Sequence, residues 1–371
     1  MIMNKGDTAP RFLGPSPIRI RVRIMTTMYE KERKVAIEAV LSACDLCRNV
    51  QVGLLSRETP DKGEPWNGTP WNGTLSKEDR SPVTVADFGS QALISHYLRK
   101  AFPNDPLVGE ENSRLLRQTE NVKIKEAVLD IVNRFIPDLC PTEVLDAIER
   151  GSGNGGPKGR FWTVDPIDGT KGFLRKDQYA VALALIEEGE VVLGVLGCPN
   201  LPLHGLDPAG VRGSLFVAVR KEGTFIRGFE ETRETKIGVD GVPDPAQATY
   251  CESVESSHSS HEDSASIAGN LGITKPPILM DSLCKYGIVA RGDASFYIRI
   301  PSRKTYVEKI WDHAAGLVIV LEAGGIVSDI DGRPLNFSLG RTLKANRGIV
   351  ASNGLIHRRI IDTVKKTLMR G

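Results

Sequence analysis

The stretch Trp162-Thr-Val-Asp-Pro-Ile-Asp-Gly-Thr-Lys-Gly-Phe-Leu-Arg175 decides how the rest of the chain is read. A short apolar run, Phe161 to Val164, reads as the end of a buried strand. Two carboxylates, Asp165 and Asp168, follow it. Pro166 fixes its own φ and pushes Asp165 toward an extended conformation, so both acids can leave the strand end facing one point. A hard cation there would relieve their mutual repulsion. Gly169 permits a sharp turn or a positive φ. The N–H groups of Gly169 and Thr170 are then free to hold an anion, as helix N-termini and nests do. Acids for a metal followed at once by donors for a phosphate point to metal-assisted phosphate chemistry. The competing reading is a strand-to-turn corner whose Asp residues only cap the backbone, and for a lone Asp-Gly it would win.

The chain has 371 residues, 40% hydrophobic and 25% charged, with a net charge of +2. That is the composition of an ordinary globular protein with room for two domains or one large two-part α/β unit. No apolar run approaches the length of a membrane-spanning helix. Before Met28 there are five basic residues (Lys5, Arg11, Arg19, Arg21, Arg23) against one acid, Asp7. The remainder is therefore nearly neutral, which argues against non-specific nucleic-acid binding as the main task. The basic first segment fits an organellar presequence no better than a disordered tail or a mis-assigned start, with Met25 and Met28 as internal starts, and it does not read as a secretory signal. The expected compartment is the cytoplasm or an organelle. Six scattered cysteines suggest free thiols in a reducing environment. Cys44 and Cys47 fall inside a helical pattern, so packing is preferred to metal binding.

Tyr29 to about Leu55 reads as a long helix with an inward stripe of Val35, Ala39, Ala43, Leu46 and Val50. Ser56 to Arg80, with Pro-Trp-Asn-Gly-Thr occurring twice, reads as a mobile loop expansion. A second helix follows Thr84 and Asp87, which have capping-box spacing. Asp87 is then either only a helix N-terminal acid or a group reaching toward a metal-bound water. Leu107 to Glu111 reads as a short strand ending in two acids, and Ser113 to Arg150 as polar and helical, broken by Pro137 and Pro141. Gly151-Ser-Gly-Asn-Gly-Gly156 satisfies G-x-G-x-x-G but follows a helix and precedes a strand. That order is wrong for a dinucleotide fingerprint, so it reads as a flexible loop. Hairpins are expected around Gly189 and Gly223, building a sheet for the two early helices. A Pro- and Asp-rich shift at Asp240 to Pro245 marks the candidate domain boundary, giving units 1–28, 29–240 and 241–371. Asp312 is expected to N-cap a helix that runs to Glu322.

Asp87, Gly109-Glu110-Glu111, Asp165-Pro-Ile-Asp-Gly-Thr170 and Trp311-Asp-His-Ala-Ala-Gly316 together resemble the signatures of the lithium-sensitive, Mg²⁺-dependent inositol monophosphatase-like phosphatases. The resemblance runs from Tyr29 to the C-terminus and implies a layered αβαβα sandwich (α+β/α/β) of two subdomains. Asp177-Gln-Tyr-Ala-Val-Ala-Leu183, Cys198-Pro-Asn-Leu-Pro202, His258-Ser-Ser-His261 and the Asp281 to Tyr286 motif are similar to the 3′(2′),5′-bisphosphate nucleotidase branch, some of whose members also act on inositol polyphosphates. Cys284 inside the last motif and the Ser56–Arg80 expansion depart from the pattern.

The resemblance implies roles residue by residue. Glu110, Asp165, the Ile167 carbonyl, Asp168 and Asp312 would bind two or three Mg²⁺ ions, with Asp87 and Thr170 orienting or deprotonating the attacking water. Gly169, Thr170, His258, Ser282, Lys285, Arg299 and Asp312 would contact substrate, the two cations serving phosphate. Read without the resemblance, His258 and His261 are surface loop histidines. The implied reaction removes the 3′(2′)-phosphate of adenosine 3′(2′),5′-bisphosphate, and of its sulfated relative, with an inositol polyphosphate 1-phosphatase or a non-catalytic nucleotide sensor as the alternatives. The expected partner is a small nucleotide or inositol phosphate, with no nucleic acid or membrane, in a monomer or homodimer.

Overall fold

The structure, a computed structural model, describes Met1 and residues 28–55, 74–77, 82–255, 260–303 and 305–369. The basic leader, most of the Ser56–Arg80 expansion and His258 lie outside the described residues, and with them the readings placed on those segments.

The chain opens with α1 (Glu30–Leu55), the hairpin strands β1 (Thr74–Ser76) and β2 (Pro82–Thr84), and α2 (Val85–Ala101). Part of the expected loop expansion is thus an antiparallel strand, Thr74 pairing with Thr84. Next come β3 (Leu107–Gly109), α3 (Val122–Asn133), α4 (Pro141–Glu149), β4 (Arg160–Asp168), α5 (Thr170–Arg175), β5 (Ala180–Glu187), β6 (Glu190–Pro202), β7 (Arg212–Val219), β8 (Gly223–Gly228) and β9 (Thr235–Ile237). Strands β3 to β9 form a seven-stranded sheet in chain order. Only the β3–β4 pair is parallel. The hairpins expected at Gly189 and Gly223 are present, each with its glycine at positive φ.

The second half adds β10 (Tyr250–Glu252), α6 (His261–Asn270), β11 (Ile278–Leu279), α7 (Cys284–Ala290), β12 (Phe296–Arg299), α8 (Ala314–Glu322), β13 (Ile326–Ser328), β14 (Ile349–Ser352) and α9 (His357–Leu368). Its five strands lie in the order β11-β10-β12-β14-β13, parallel at β10 and antiparallel around β14.

Alternation along the strands explains the layering. In the first sheet Val181, Leu183 and Leu185 face α1 and α2, while Ala180, Ala182, Ala184 and Ile186 face α7 and α8. In the second sheet Tyr297 and Ala351 face α7 and α8, while Phe296, Ile298 and Val350 face α6 and α9. The order is therefore helix, sheet, helix, sheet, helix, as the family resemblance implies. Strand β6 shows why the layers sit so close. A Cβ on Gly197 would lie 2.4 Å from Cys44 Sγ on α1, and one on Gly194 would lie 2.5 Å from Val318 Cγ1 on α8. Helices thus press on both faces of one strand, and glycine is what fits between them. Cys44 and Cys47 are buried in this packing, as a helical reading of the pair requires.

Gly194→Val is expected to lower stability by about 3 kcal/mol through overpacking against α8. Chemical denaturation reads this directly, and an unchanged unfolding midpoint would show that the α8 layer is looser than described.

Candidate active site

The acids of the central stretch sit inside a strand, not beyond its end. β4 continues through Asp168, but Asp165 pairs with Ala182 while Asp168 pairs with Ala180, so the register slips by one residue between them. Pro166 has no N–H to give to the ladder, a natural place for such a bulge. In an unbroken strand, residues three apart point to opposite faces. The extra residue cancels that alternation and turns both carboxylates to one side. Asp165 is fully buried, whereas Asp168 keeps partial access to solvent.

The chain then reverses at Gly169, at φ 85° and ψ 44°, and α5 starts at Thr170. A Cβ on Gly169 would come within 3.1 Å of Ser282 Cβ, so a left-handed backbone and a crowded neighbour both demand glycine. Ser282 itself has positive φ, and the next N–H, of Leu283, donates to Asp168 Oδ2. The Ser282 turn is thereby fastened to the second acid.

Asp87 fills both roles its position allows. Its Oδ2 accepts the Thr84 N–H at 2.7 Å and the Thr84 hydroxyl at 2.6 Å, completing the capping box of α2. Its Oδ1 faces Thr170 Oγ1 at 3.3 Å. The single Thr170 hydroxyl proton is offered either there or to the Ile167 carbonyl at 3.2 Å. Burial pushes Asp87 up to about 6, with Lys77 and Thr84 pulling the other way.

Glu110 at the end of β3, Asp165 and Asp168 on β4, and Asp312 just before α8 converge on this point. Desolvation, then the charges of Glu110, Asp168 and Asp312, hold the Asp165 carboxyl well above the usual range. Asp312 is raised likewise, by desolvation and then by Asp168. Asp168 is lifted to about 6 by desolvation, against the pull of Lys285 and Arg299. Asp165 Oδ1 is buried without a hydrogen-bond partner. Mutually repelling carboxylates, a nearby carbonyl and an orphaned buried oxygen make an all-oxygen donor set. Such a set fits a hard divalent cation of the Mg²⁺ kind.

One cation here has no counterpart in the sequence reading. Lys77, just after β1, places Nζ 2.6 Å from Glu110 Oε1 and 2.5 Å from Glu111 Oε1. Burial opposes its charge, but Glu110, Glu111 and Asp87 outweigh that and keep the ammonium protonated. Burial and Glu110 push Glu111 up to about 8. No local pattern marks Lys77, because its partners are more than thirty residues away and meet it only through the hairpin.

Asp312 does not cap its helix. His313 is the N-cap residue of α8 and makes no side-chain cap, so Asp312 lies one residue too early and is left to face the other acids. Glu308, Asp312 and His313 have ligand atoms within 4.8 Å of one another. Glu308 is already committed, accepting from Arg299 Nε at 3.1 Å and His313 Nε2 at 3.0 Å. Burial alone would raise Glu308, but Arg299 and His313 bring it down to about 2. His313 takes the Tyr286 hydroxyl at Nδ1, 2.9 Å away. This chain of buried contacts holds the Asp312 segment and was not visible as a motif.

The remaining expected substrate residues are partly engaged already. Lys285 Nζ donates to the carbonyls of Met280 at 3.0 Å and Ser282 at 2.7 Å. Arg299 also reaches the Tyr306 hydroxyl at 3.3 Å. His261 opens α6, with Nε2 2.9 Å from the Ser253 carbonyl. The start of the 151–156 loop is tied to β3: Gly153 N–H donates to Leu107 O at 3.0 Å, and the Gly151 carbonyl accepts from Gly109 N–H at 2.7 Å.

The architecture is shared with solved structures. The IMPase of Thermotoga maritima matches with a TM-score of 0.57 at 21% identity, covering 92% of this chain and 99% of that one. The extragenic suppressor protein suhB of Bartonella henselae matches with a TM-score of 0.59 at 20% identity, covering 91% and 99%. At that identity the likeness is one of fold. The chain belongs to the inositol monophosphatase family, which it matches over residues 34–369. Within the family its curated relatives carry a narrower name. The 3′(2′),5′-bisphosphate nucleotidase of Emericella nidulans is 44% identical over 364 residues, covering 92% of this chain and 99% of its own. Those of Schizosaccharomyces pombe and Oryza sativa are 41% and 42% identical, covering 90% and 92% of this chain and 95% of each relative.

Lys77→Met leaves Glu110 and Glu111 without their cation. The melting temperature of the metal-free protein is expected to fall by about 5 °C, and Mg²⁺ should recover more of it than it adds to the unchanged protein. Equal melting of both proteins in chelator would show that Lys77 does not neutralise this pair.

Proposed function

We propose that this chain is a Mg²⁺-dependent phosphomonoesterase that removes the 3′(2′)-phosphate of adenosine 3′(2′),5′-bisphosphate, leaving AMP and phosphate. The observation that carries this reading is the bulge in β4, which turns Asp165 and Asp168 to one side beside Gly169 and leaves Asp165 Oδ1 unpartnered. The names carried by relatives at 41–44% identity across nine-tenths of this chain support the nucleotide as substrate. Among the described residues no helix is long and apolar enough to cross a membrane.

Glu110, Asp165, the Ile167 carbonyl, Asp168 and Asp312 would hold two or three Mg²⁺ ions. Bound there, Mg²⁺ supplies a water of lowered pKa and compensates charge on the phosphoryl and departing oxygens. Asp87 has one oxygen tied to Thr84, so Oδ1 is the atom left to take a proton, and the Thr170 hydroxyl oxygen lies 3.3 Å from it. The pair orients the attacking water and removes its proton as the new phosphorus–oxygen bond forms in line with the breaking one. The 3′ oxygen leaves with its electron pair and is protonated from solvent. The N–H groups at Gly169 and Thr170 face the phosphoryl oxygens. Ser282, Lys285, Arg299 and His258 are assigned to the nucleotide. Lys285 serves as a fixed positive charge, since its ammonium is already anchored to two carbonyls.

Phosphate release from adenosine 3′,5′-bisphosphate should require Mg²⁺ and be inhibited by Li⁺, which competes for a cation position. Asp168→Asn is expected to cost at least about 100-fold in turnover, more than is usual for groups that only support a metal ligand. Unchanged release by that variant would remove the metal assignment. A strong preference for inositol 1,4-bisphosphate in the same assay would replace the nucleotide with an inositol polyphosphate.

A further inference from the structure

One guanidinium reaches both halves of the candidate metal site without touching any of its acids. Arg341 lies in the segment leading to β14. Its Nη1 donates to the carbonyls of Gly151 at 3.0 Å and Gly153 at 2.7 Å, and its Nη2 to the carbonyl of Gly109 at 2.6 Å. Gly109 is the residue immediately before Glu110. The same guanidinium lies 4.8 Å from the ring centroid of Trp311, the residue immediately before Asp312. Its own backbone grips that second segment as well. The Arg341 carbonyl accepts from Ile310 N–H at 3.2 Å, Thr342 bridges to Lys309, and Leu343 N–H donates to Glu308 O at 2.8 Å.

The far side of the Glu110 segment is equally constrained. Gln91 on α2 donates to Glu111 O at 2.6 Å and Ile148 O at 2.8 Å, and accepts from Glu111 N–H at 3.0 Å. A Cβ on Gly109 or Gly151 would lie 2.4 or 2.3 Å from the Gln91 side chain, so these glycines let the backbones close in. Glu110 is therefore carried by a strand end held between Gln91 and Arg341. Asp312 is carried by a segment held between Arg341 on one side and the Glu308–His313–Tyr286 chain on the other.

We propose that Arg341 is a positioning residue that sets the separation of Glu110 and Asp312, and with it the affinity of the site for divalent metal. The inference rests on the metal reading above. A planar fork suits this task because it can reach three carbonyls while its face lies on an indole, which a lysine's point charge cannot do. The geometry of ligands contributed by separate segments is most sensitive to whatever joins those segments.

The test is calorimetric titration of Mn²⁺ into the full chain, unchanged and as Arg341→Met and Arg341→Lys. Thermal unfolding in chelator and the nucleotide KM at saturating Mg²⁺ are measured alongside. Metal binding should weaken about tenfold in Arg341→Met while the nucleotide KM moves less than about twofold. Metal affinity like the unchanged chain's in a folded Arg341→Met, with only a lower melting temperature, would make Arg341 a plain structural clamp and overturn the proposal. Should the Met variant fail to fold, Arg341→Lys decides on the same terms: weaker binding supports positioning, and unaltered binding refutes it. Absence of Mn²⁺ binding in the unchanged chain would remove the metal reading itself, and this inference with it.

Discussion

The repulsion among Glu110, Asp165, Asp168 and Asp312 is the constraint around which this molecule is arranged. Desolvated carboxylates close to one another either take up protons or acquire a counter-charge. The protein uses several means at once. Lys77 neutralises the Glu110–Glu111 pair, Lys285 and Arg299 stand near Asp168, and a backbone N–H from Leu283 fastens one Asp168 oxygen. Asp165 and Asp312 nonetheless stay well above the usual carboxylate range, because burial and the neighbouring acids outweigh Lys77 and Arg299 there.

Keeping such a cluster together demands a rigid frame, and the frame is the layering. The bulged strand β4 is sandwiched between α2 on one face and the α8 layer on the other. Close approach through Gly194 and Gly197 leaves little play between these layers. The four acids come from three pieces of that frame: Glu110 from the end of β3, Asp165 and Asp168 from β4, and Asp312 from the segment before α8. Precision comes from packed backbone, consistent with sites built on strands and helix starts rather than on free loops.

The polar supports around the acids follow a common pattern. Asp87 is oriented by Thr84, Asp168 by Leu283, the Glu110 segment by Gln91 and Arg341, and the Asp312 segment by Glu308, His313 and Tyr286. Most of these supports are buried and carry a charge or an amide that finds its partner across the fold. A half-satisfied arrangement of this kind would be costly, which is why so many of their donors and acceptors are matched.

Local chemistry along the chain was enough to determine a good part of this. Helical periodicity located α1 and α2, glycine turns located the hairpins at Gly189 and Gly223, and Thr84 with Asp87 marked a capping box that exists. The Asp165–Thr170 stretch disclosed its turn and its paired acids because proline, glycine and two acids act on neighbours. Even there, tertiary structure supplied the mechanism: pairing with β5 revealed a bulge inside the strand where an end had been expected. It also moved the N-cap from Asp312 to His313, tied Gly151 and Gly153 to β3, and introduced Lys77, Glu308 and Arg341. Those residues depend on partners far away in sequence, and a contact between distant residues leaves no trace in the local spacing of either. What a stretch does to its own backbone can be read along the chain, whereas what it meets in space is settled only when the layers close.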